Sequence, residues 1–129
     1  MLLYFDSKTG NVARFIQKVM ERTGWISVGV GEILPVMKPG HLVTFTTRNG
    51  ELPQSTRDFL EQYAHYIRTV SSSGNRNWGG NFGRAADVAS EMFGIPVCLK
   101  FELSGFECDV DDFIRRISNY ETLSSFGRE

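Results

Sequence analysis

The chain has 129 residues, 41% of them apolar and 22% charged, with a formal net charge of −1. That is enough for one domain with a real core, and the charge gives no footprint for general nucleic-acid binding. No apolar run is long enough to cross a bilayer, and the first lacks a preceding basic region, so neither a membrane anchor nor a signal peptide is expected.

The first strand is expected at Leu2 to Phe5, a continuous apolar run that reads as buried on both faces. A helix follows, with Val12, Phe15, Ile16 and Val19 on one stripe and Gly24 in the usual terminating position. A second strand is expected around Trp25 to Val30, a loop from Gly31 to Gly40, and a third strand from Leu42 to Thr46. Arg48 to Pro53 reads as a turn, since Asn49-Gly50 is a strong turn signal. A helix from near Ser55 carries Phe59, Leu60, Tyr63 and Ala64 inward, and Ile67 to Ser72 is the fourth strand. Phe82, Ala85, Ala86, Ala89 and Phe93 mark a third helix, Pro96 to Glu102 a fifth strand, and Val110, Phe113, Ile114 and Ile117 a last helix. The polar tail after Tyr120 is expected to fray.

Five strands alternating with four helices predict an α/β fold: a parallel sheet covered by helices on both faces. The flavodoxin-like strand order, 2-1-3-4-5, is the leading topology. It places ligands beyond the carboxyl ends of the strands, at the switch point between the first and third. No repeat or linker divides the chain, so residues 1–129 read as one flavodoxin-like domain. Cys98 and Cys108 form no C-x-x-C pair, and with only His41 and His65 beside them no metal site is expected. Reduced thiols in a cytoplasmic protein are the plain reading.

Two loops stand out. Ser7-Lys8-Thr9-Gly10-Asn11 opens a helix with hydroxyl, amide and backbone N–H donors, which suits a phosphate. It is not a Walker loop, and Ser7 or Thr9 capping the helix is an equally direct reading. Ser73-Gly74-Asn75-Arg76-Asn77-Trp78-Gly79-Gly80 exceeds the usual strand-to-helix length of about 2–6 residues. Its glycines permit close backbone approach, and Trp78 can either stack on a flat ring or fold back on the core.

Other chemistries on this fold fail on their residues. A low-molecular-weight phosphatase needs an Arg six positions after its Cys; those positions hold Ser104 and Ile114. A receiver domain needs an Asp after the third strand, where Thr47-Arg48 stands, and Asp6 has no acidic neighbour. Lys100 is then structural or solvent-facing, and Glu102 with Asp109 to Asp112 reads as an acidic cluster at a helix start.

Tyr4 to Val12, Ser73 to Gly79 and Lys100 to Gly105 together resemble the NrdI family, small flavodoxin-like proteins that serve class Ib ribonucleotide reductase. The resemblance runs over nearly the whole chain, and the Ser-Gly-Asn-Arg-Asn-Trp-Gly stretch is its specific part. It implies FMN as cofactor. It places the phosphate on Ser7, Thr9, Asn11 and the N–H groups of Lys8, Gly10 and Val12. One side of the flavin is then covered by Thr47, Arg48, Asn49 and Gly50, and the other is bordered by Ser73, Gly74, Asn75, Trp78 and Gly79. It implies no catalytic side chain, since the chemistry is on the flavin. It also implies that the protein is reduced by an electron donor and passes electrons to O₂. The resulting superoxide or peroxide oxidises a dimanganese centre in the reductase small subunit, so that a tyrosyl radical forms there.

Lys8, Arg48, Arg76 and Arg84 in or near these loops would attract anionic oxygen species. One departure concerns the turn after Thr46-Thr47. Relatives commonly carry glycine immediately there, where this chain has Arg48-Asn49. Flavodoxins tune their flavin by flipping a peptide in this turn so that its carbonyl meets N5–H. Arg48 resists positive φ, so the flip is expected at the Asn49-Gly50 peptide, or not at all. Phe106, where Thr is common, is a second departure. The alternative function is a general electron-transfer flavodoxin; a third is an interaction domain on the same fold without cofactor.

Overall fold

The computed structural model describes residues 1–32 and 34–126. Residue 33, inside the loop expected from Gly31 to Gly40, and residues 127–129 of the polar tail lie outside the described residues. The elements alternate as β1 (Leu2–Phe5), α1 (Asn11–Thr23), β2 (Ile26–Gly29), β3 (Gly40–Phe45), α2 (Gln54–Tyr63), β4 (Ile67–Gly74), α3 (Arg84–Phe93), β5 (Val97–Glu102) and α4 (Glu107–Phe126). Short 3₁₀ turns span Ala64–Tyr66 and Arg76–Asn81. The strands pair in parallel in the order β2-β1-β3-β4-β5, the flavodoxin-like topology. The order reverses between β1 and β3, so the chain leaves those strands toward opposite faces and a crevice opens between their carboxyl ends.

Alternation along the strands builds two cores. Leu3 and Val43 face α1 and α4, where Phe15, Ile16, Val110, Phe113 and Ile117 are buried. Tyr4 and Leu42 face α2 and α3, against Phe59, Leu60 and Ala85 to Ala89. Phe15 stacks on Phe101 with ring centroids 3.9 Å apart. Burying one such ring contributes about 1.5–3 kcal/mol. Tyr63 and Ala64 are only half-buried at the rim of the second core. Gly24 ends α1 at φ +74, its N–H bonded to Met20 O.

α2 starts at Pro53 without a side-chain cap of its own. Asp6, just after β1, reaches this helix start through its side chains: its Oδ2 accepts from Ser55 Oγ at 2.5 Å and Thr56 Oγ1 at 2.6 Å. A carboxylate is favourable at a helix start, so β1 and α2 are joined where the switch point opens.

Several expectations are corrected. β3 runs from Gly40 to Phe45 and stops short of Thr46; Gly40 is too tight for a side chain, since a Cβ there would lie 2.7 Å from Leu2 O. β4 continues past Ser72, with Ser73 paired to Phe45 and Phe101 and Gly74 to Glu102. Ser71 and Ser72 suit a buried strand because both are satisfied: Ser71 Oγ accepts from Leu99 N–H at 3.2 Å, and Ser72 Oγ donates to Gly83 O at 2.7 Å and accepts from Ala86 N–H at 3.1 Å. Phe82 is not helical; Gly83 at φ +61 separates it from α3, and the Arg76 guanidinium lies 4.6 Å from its ring centroid. Glu102 belongs to β5, where it accepts from Arg76 N–H at 3.1 Å, whereas Asp109 does cap α4 through Phe106 N–H at 2.8 Å. Lys100 is structural, its Nζ 2.5 Å from Asp87 Oδ2.

The end of the chain departs furthest from expectation. α4 runs through Tyr120 to Phe126, because Glu121 is tied to the sheet by His41 and Arg68. Both cysteines are free; Cys98 is buried, and that burial pushes its thiol pKa up, which keeps it unreactive. Among the described residues no helix is long and apolar enough to cross a membrane, and no group of three His, Cys, Asp or Glu could hold a metal.

Candidate functional site

The segments leaving β1, β3, β4 and β5 enclose a cavity of about 390 Å³. Lys8, Thr9 and Asn11 line it from the first segment, and Phe45, Thr46, Thr47 and Arg48 from the second. Ser73, Gly74, Asn75 and Trp78 line it from the third, and Leu103 from the fourth. Ser7, Gly10, Val12, Asn49, Gly50 and Gly79 are not part of the lining.

The first wall is a helix start with spare donors. Gly10 at φ +94 turns the chain into α1, a conformation that other residues adopt only with strain. Ser7 Oγ accepts from Ala13 N–H at 3.2 Å, so Ser7, and not Thr9, caps the helix. Among the described residues the N–H groups of Gly10, Asn11 and Val12 have no partner. Three donors at the positive end of a helix dipole suit an anion.

The second wall is a tight turn. Thr47 N–H donates to Glu51 O at 3.1 Å and Gly50 N–H to Thr47 O at 2.9 Å, with Gly50 at φ +77. Gly50 points away from the cavity: a Cβ on it would lie 2.6 Å from Asn81 Oδ1. The buried Thr46 hydroxyl accepts from Ala85 N–H at 3.3 Å, so this wall is fixed to the start of α3.

The third wall holds itself. Asn75 Oδ1 accepts from Asn77 N–H at 2.9 Å, and its backbone carbonyl accepts from Trp78 N–H at 2.9 Å. Trp78 is half-buried and turned to the cavity, not folded into either core. Gly74 lies at the base because nothing larger fits; a Cβ would meet Gly83 N at 2.7 Å.

The fourth wall carries the strain. Leu103 is the one non-glycine residue at positive φ among the described residues, at +53. It occupies the first central position of a turn closed by Gly105 N–H to Glu102 O at 2.8 Å, while its own N–H donates to Gly74 O at 3.0 Å. Leucine in such a conformation costs about 1–3 kcal/mol, and strain of this kind concentrates at functional sites. The cavity thus has donors at one end, apolar walls from Phe45, Trp78 and Leu103, and two cations, Lys8 and Arg48, at its surface.

The comparisons decide the family. A family model described as NrdI flavodoxin-like matches residues 3–115. The chain belongs to the NrdI flavodoxin-like family. It is 43% identical to a protein named Protein NrdI from Bacillus licheniformis over 123 residues, covering 95% of this chain and 92% of that one. It is 40% identical to the Protein NrdI of Macrococcus caseolyticus over 125 residues, covering 95% of each. Solved structures share the fold: a Streptococcus pneumoniae TIGR4 flavodoxin (TM-score 0.65, 21% identity, covering 94% of this chain and 97% of that one). The oxidised flavodoxin 2 of Bacillus cereus has the same values: TM-score 0.65, 21% identity, 94% and 97% coverage.

The NrdI family binds FMN and is linked to ribonucleotide reductase. The residues present here fit that cofactor. Three unpartnered helix-start N–H groups match a single phosphate, and the apolar walls match a flat heterocycle. Phe45, Thr46 and Leu103 are lining residues that the sequence reading did not single out. A leucine after a strand looks like more strand, and a backbone angle leaves no trace in residue type.

Proposed function

We propose that this protein holds FMN at the carboxyl edge of its sheet and serves a class Ib ribonucleotide reductase. In that role it delivers a reduced oxygen species to the dimanganese small subunit. The observation that carries the reading is one cavity combining helix-start donors, apolar walls and unpaired cations at its surface. The bound FMN supplies electron transfer to O₂. The N–H groups of Gly10, Asn11 and Val12, with the Thr9 hydroxyl, bind the phosphate. Phe45, Trp78 and Leu103 exclude water from the ring. Among the described residues Lys8 and Arg48 form no ion pair, so their charge attracts superoxide and raises its local concentration. The partners are the dimanganese small subunit, a flavin-reducing electron donor and O₂. The two free thiols agree with a cytoplasmic location.

The test is to mix the reduced holoprotein with O₂ and a manganese-loaded small subunit and to follow the tyrosyl radical by electron paramagnetic resonance. Radical should appear only with all three present. A protein that reduces other acceptors but yields no radical would instead be a general electron-transfer flavodoxin. A purified protein that takes up no flavin on reconstitution would leave a cofactor-free interaction domain.

A further inference from the structure

A closed ring of three hydrogen bonds joins α1 to the turn after β5, beside the spare N–H groups of the helix start. Arg14 donates from Nη2 to Asn11 Oδ1 at 2.7 Å and from Nε to Ser104 Oγ at 3.0 Å. Ser104 Oγ in turn donates to the same Asn11 Oδ1 at 2.8 Å. Gly10 makes room for this ring: a Cβ on it would lie 2.7 Å from Arg14 Nη1.

The chemistry of the donors fixes the amide. A guanidinium has only donors, so the Asn11 atom facing it has to be the carbonyl oxygen. The serine has one proton, and with Arg14 Nε donating to its oxygen that proton is free for the same carbonyl. Both lone-pair directions of Oδ1 are then used. Nδ2 is turned to the other side, in a residue that lines the cavity, and among the described residues it has no partner. An amide free to rotate would present its oxygen to an anion half of the time and repel it.

We propose that Arg14 and Ser104 are positioning residues for the cofactor phosphate: they lock the Asn11 amide with its NH₂ toward the anion. The inference rests on the reading that the FMN phosphate sits at the start of α1. Arg14 acts through Asn11, not by touching the phosphate. Ser104 makes the turn after β5 part of the phosphate site, although it lies ninety-three positions from Asn11.

The experiment compares FMN with riboflavin, which lacks the phosphate, by fluorescence titration of apoprotein. Wild type should bind FMN far more tightly. Arg14→Met and Ser104→Ala should each raise the FMN Kd about 3- to 10-fold, the range for one impaired hydrogen bond to a charged group, with riboflavin within about twofold. On an Asn11→Ala background Arg14→Met should have no further effect on the ratio. Urea midpoints check folding, and Ser104→Ala carries the test if Arg14→Met does not fold. Equal wild-type affinity for both ligands would remove the phosphate reading itself. A strong wild-type preference that neither variant alters would overturn the positioning roles alone. An undiminished effect of Arg14→Met on the Asn11→Ala background would mean that its charge acts directly on the phosphate, which also overturns the proposal.

Discussion

His41 Nε2 lies 2.7 Å from Glu121 Oε1, joining the middle strand of the sheet to the last helix. The carboxylate only accepts, so Nε2 carries the proton and Nδ1 accepts from Thr69 Oγ1 at 2.7 Å. Arg68 completes the cluster on Glu121 Oε2 at 2.5 Å, and Tyr120 sets its ring edge-on to the imidazole.

This cluster predicts an acid-sensitive fold. Burial is the main force on His41 and pushes its pKa below the usual 6.5; Arg68 and the chain's amino terminus push the same way, and Glu121 opposes them. A neutral histidine in the fold that protonates readily when unfolded stabilises the protein above the unfolded value. That contribution is present above about pH 6.5 and is lost as pH falls from there through the lower folded value. Urea midpoints should drop across this window, and His41→Gln should flatten the drop. Glu121→Gln removes the opposing influence, so the loss should extend to lower pH. Parallel pH profiles for wild type and His41→Gln would show that the imidazole is not the group responsible.

Ser7 and Thr9 should separate stability from binding. Ser7 caps α1, so Ser7→Ala should cost about 0.5–2 kcal/mol of unfolding free energy. Thr9 is exposed at the cavity and has no bond to the helix, so Thr9→Ala should leave the unfolding midpoint of apoprotein in place. It should weaken FMN binding by about 1–2 kcal/mol, the loss of one bond to a charged oxygen. Mass spectrometry of the released cofactor should give FMN; FAD would not match a site with one set of phosphate donors.

How much of this was legible differs by scale. Leu2 to Phe5 and the Val12, Phe15, Ile16, Val19 stripe announced their elements because burial imposes periodicity on residue type. The two main loops announced themselves because glycine and clustered donors are rare in the middle of an α/β unit. The Glu121 contacts were not legible: a polar tail looks like fraying, and nothing local says that its partner lies eighty positions earlier. Ser73 and Gly74 read as the start of the loop after Ser72, yet both pair with β5 and extend β4 to Gly74.

Trp78 should report the cofactor. It faces the cavity, while Trp25 packs beside the first core. In a Trp25→Phe protein the remaining emission should be quenched with FMN bound and recover when FMN is removed. Trp78→Ala should weaken FMN binding, with about 0.5–1.5 kcal/mol from the aromatic contact beyond area burial. Unchanged affinity and an unchanged flavin absorption spectrum would give Trp78 a structural role.

The turn Thr47 to Gly50 should respond to the redox state, but at a different peptide from the one the residue types favour. Rotating the Asn49-Gly50 peptide would break the Gly50 N–H bond to Thr47 O, and Gly50 is held against Asn81. Rotating the Arg48-Asn49 peptide keeps that bond. It needs positive φ only at Asn49, which asparagine tolerates. A carbonyl turned toward flavin N5 accepts a hydrogen bond once N5 is protonated, and so stabilises the first one-electron step. A net 0.5–1.5 kcal/mol corresponds to roughly 20–65 mV. Asn49→Gly should raise the first potential by up to this amount, and Asn49→Val, stiff against positive φ, should lower it. Gly50→Ala should mainly cost stability, about 1–3 kcal/mol, because its φ is already positive and its Cβ would strike Asn81. Anaerobic reductive titrations of the three variants, with crystals in both redox states, distinguish the peptides. If Asn49→Gly and Asn49→Val leave the potentials of wild type while a folded Gly50→Ala shifts them, the moving peptide is Asn49-Gly50 after all.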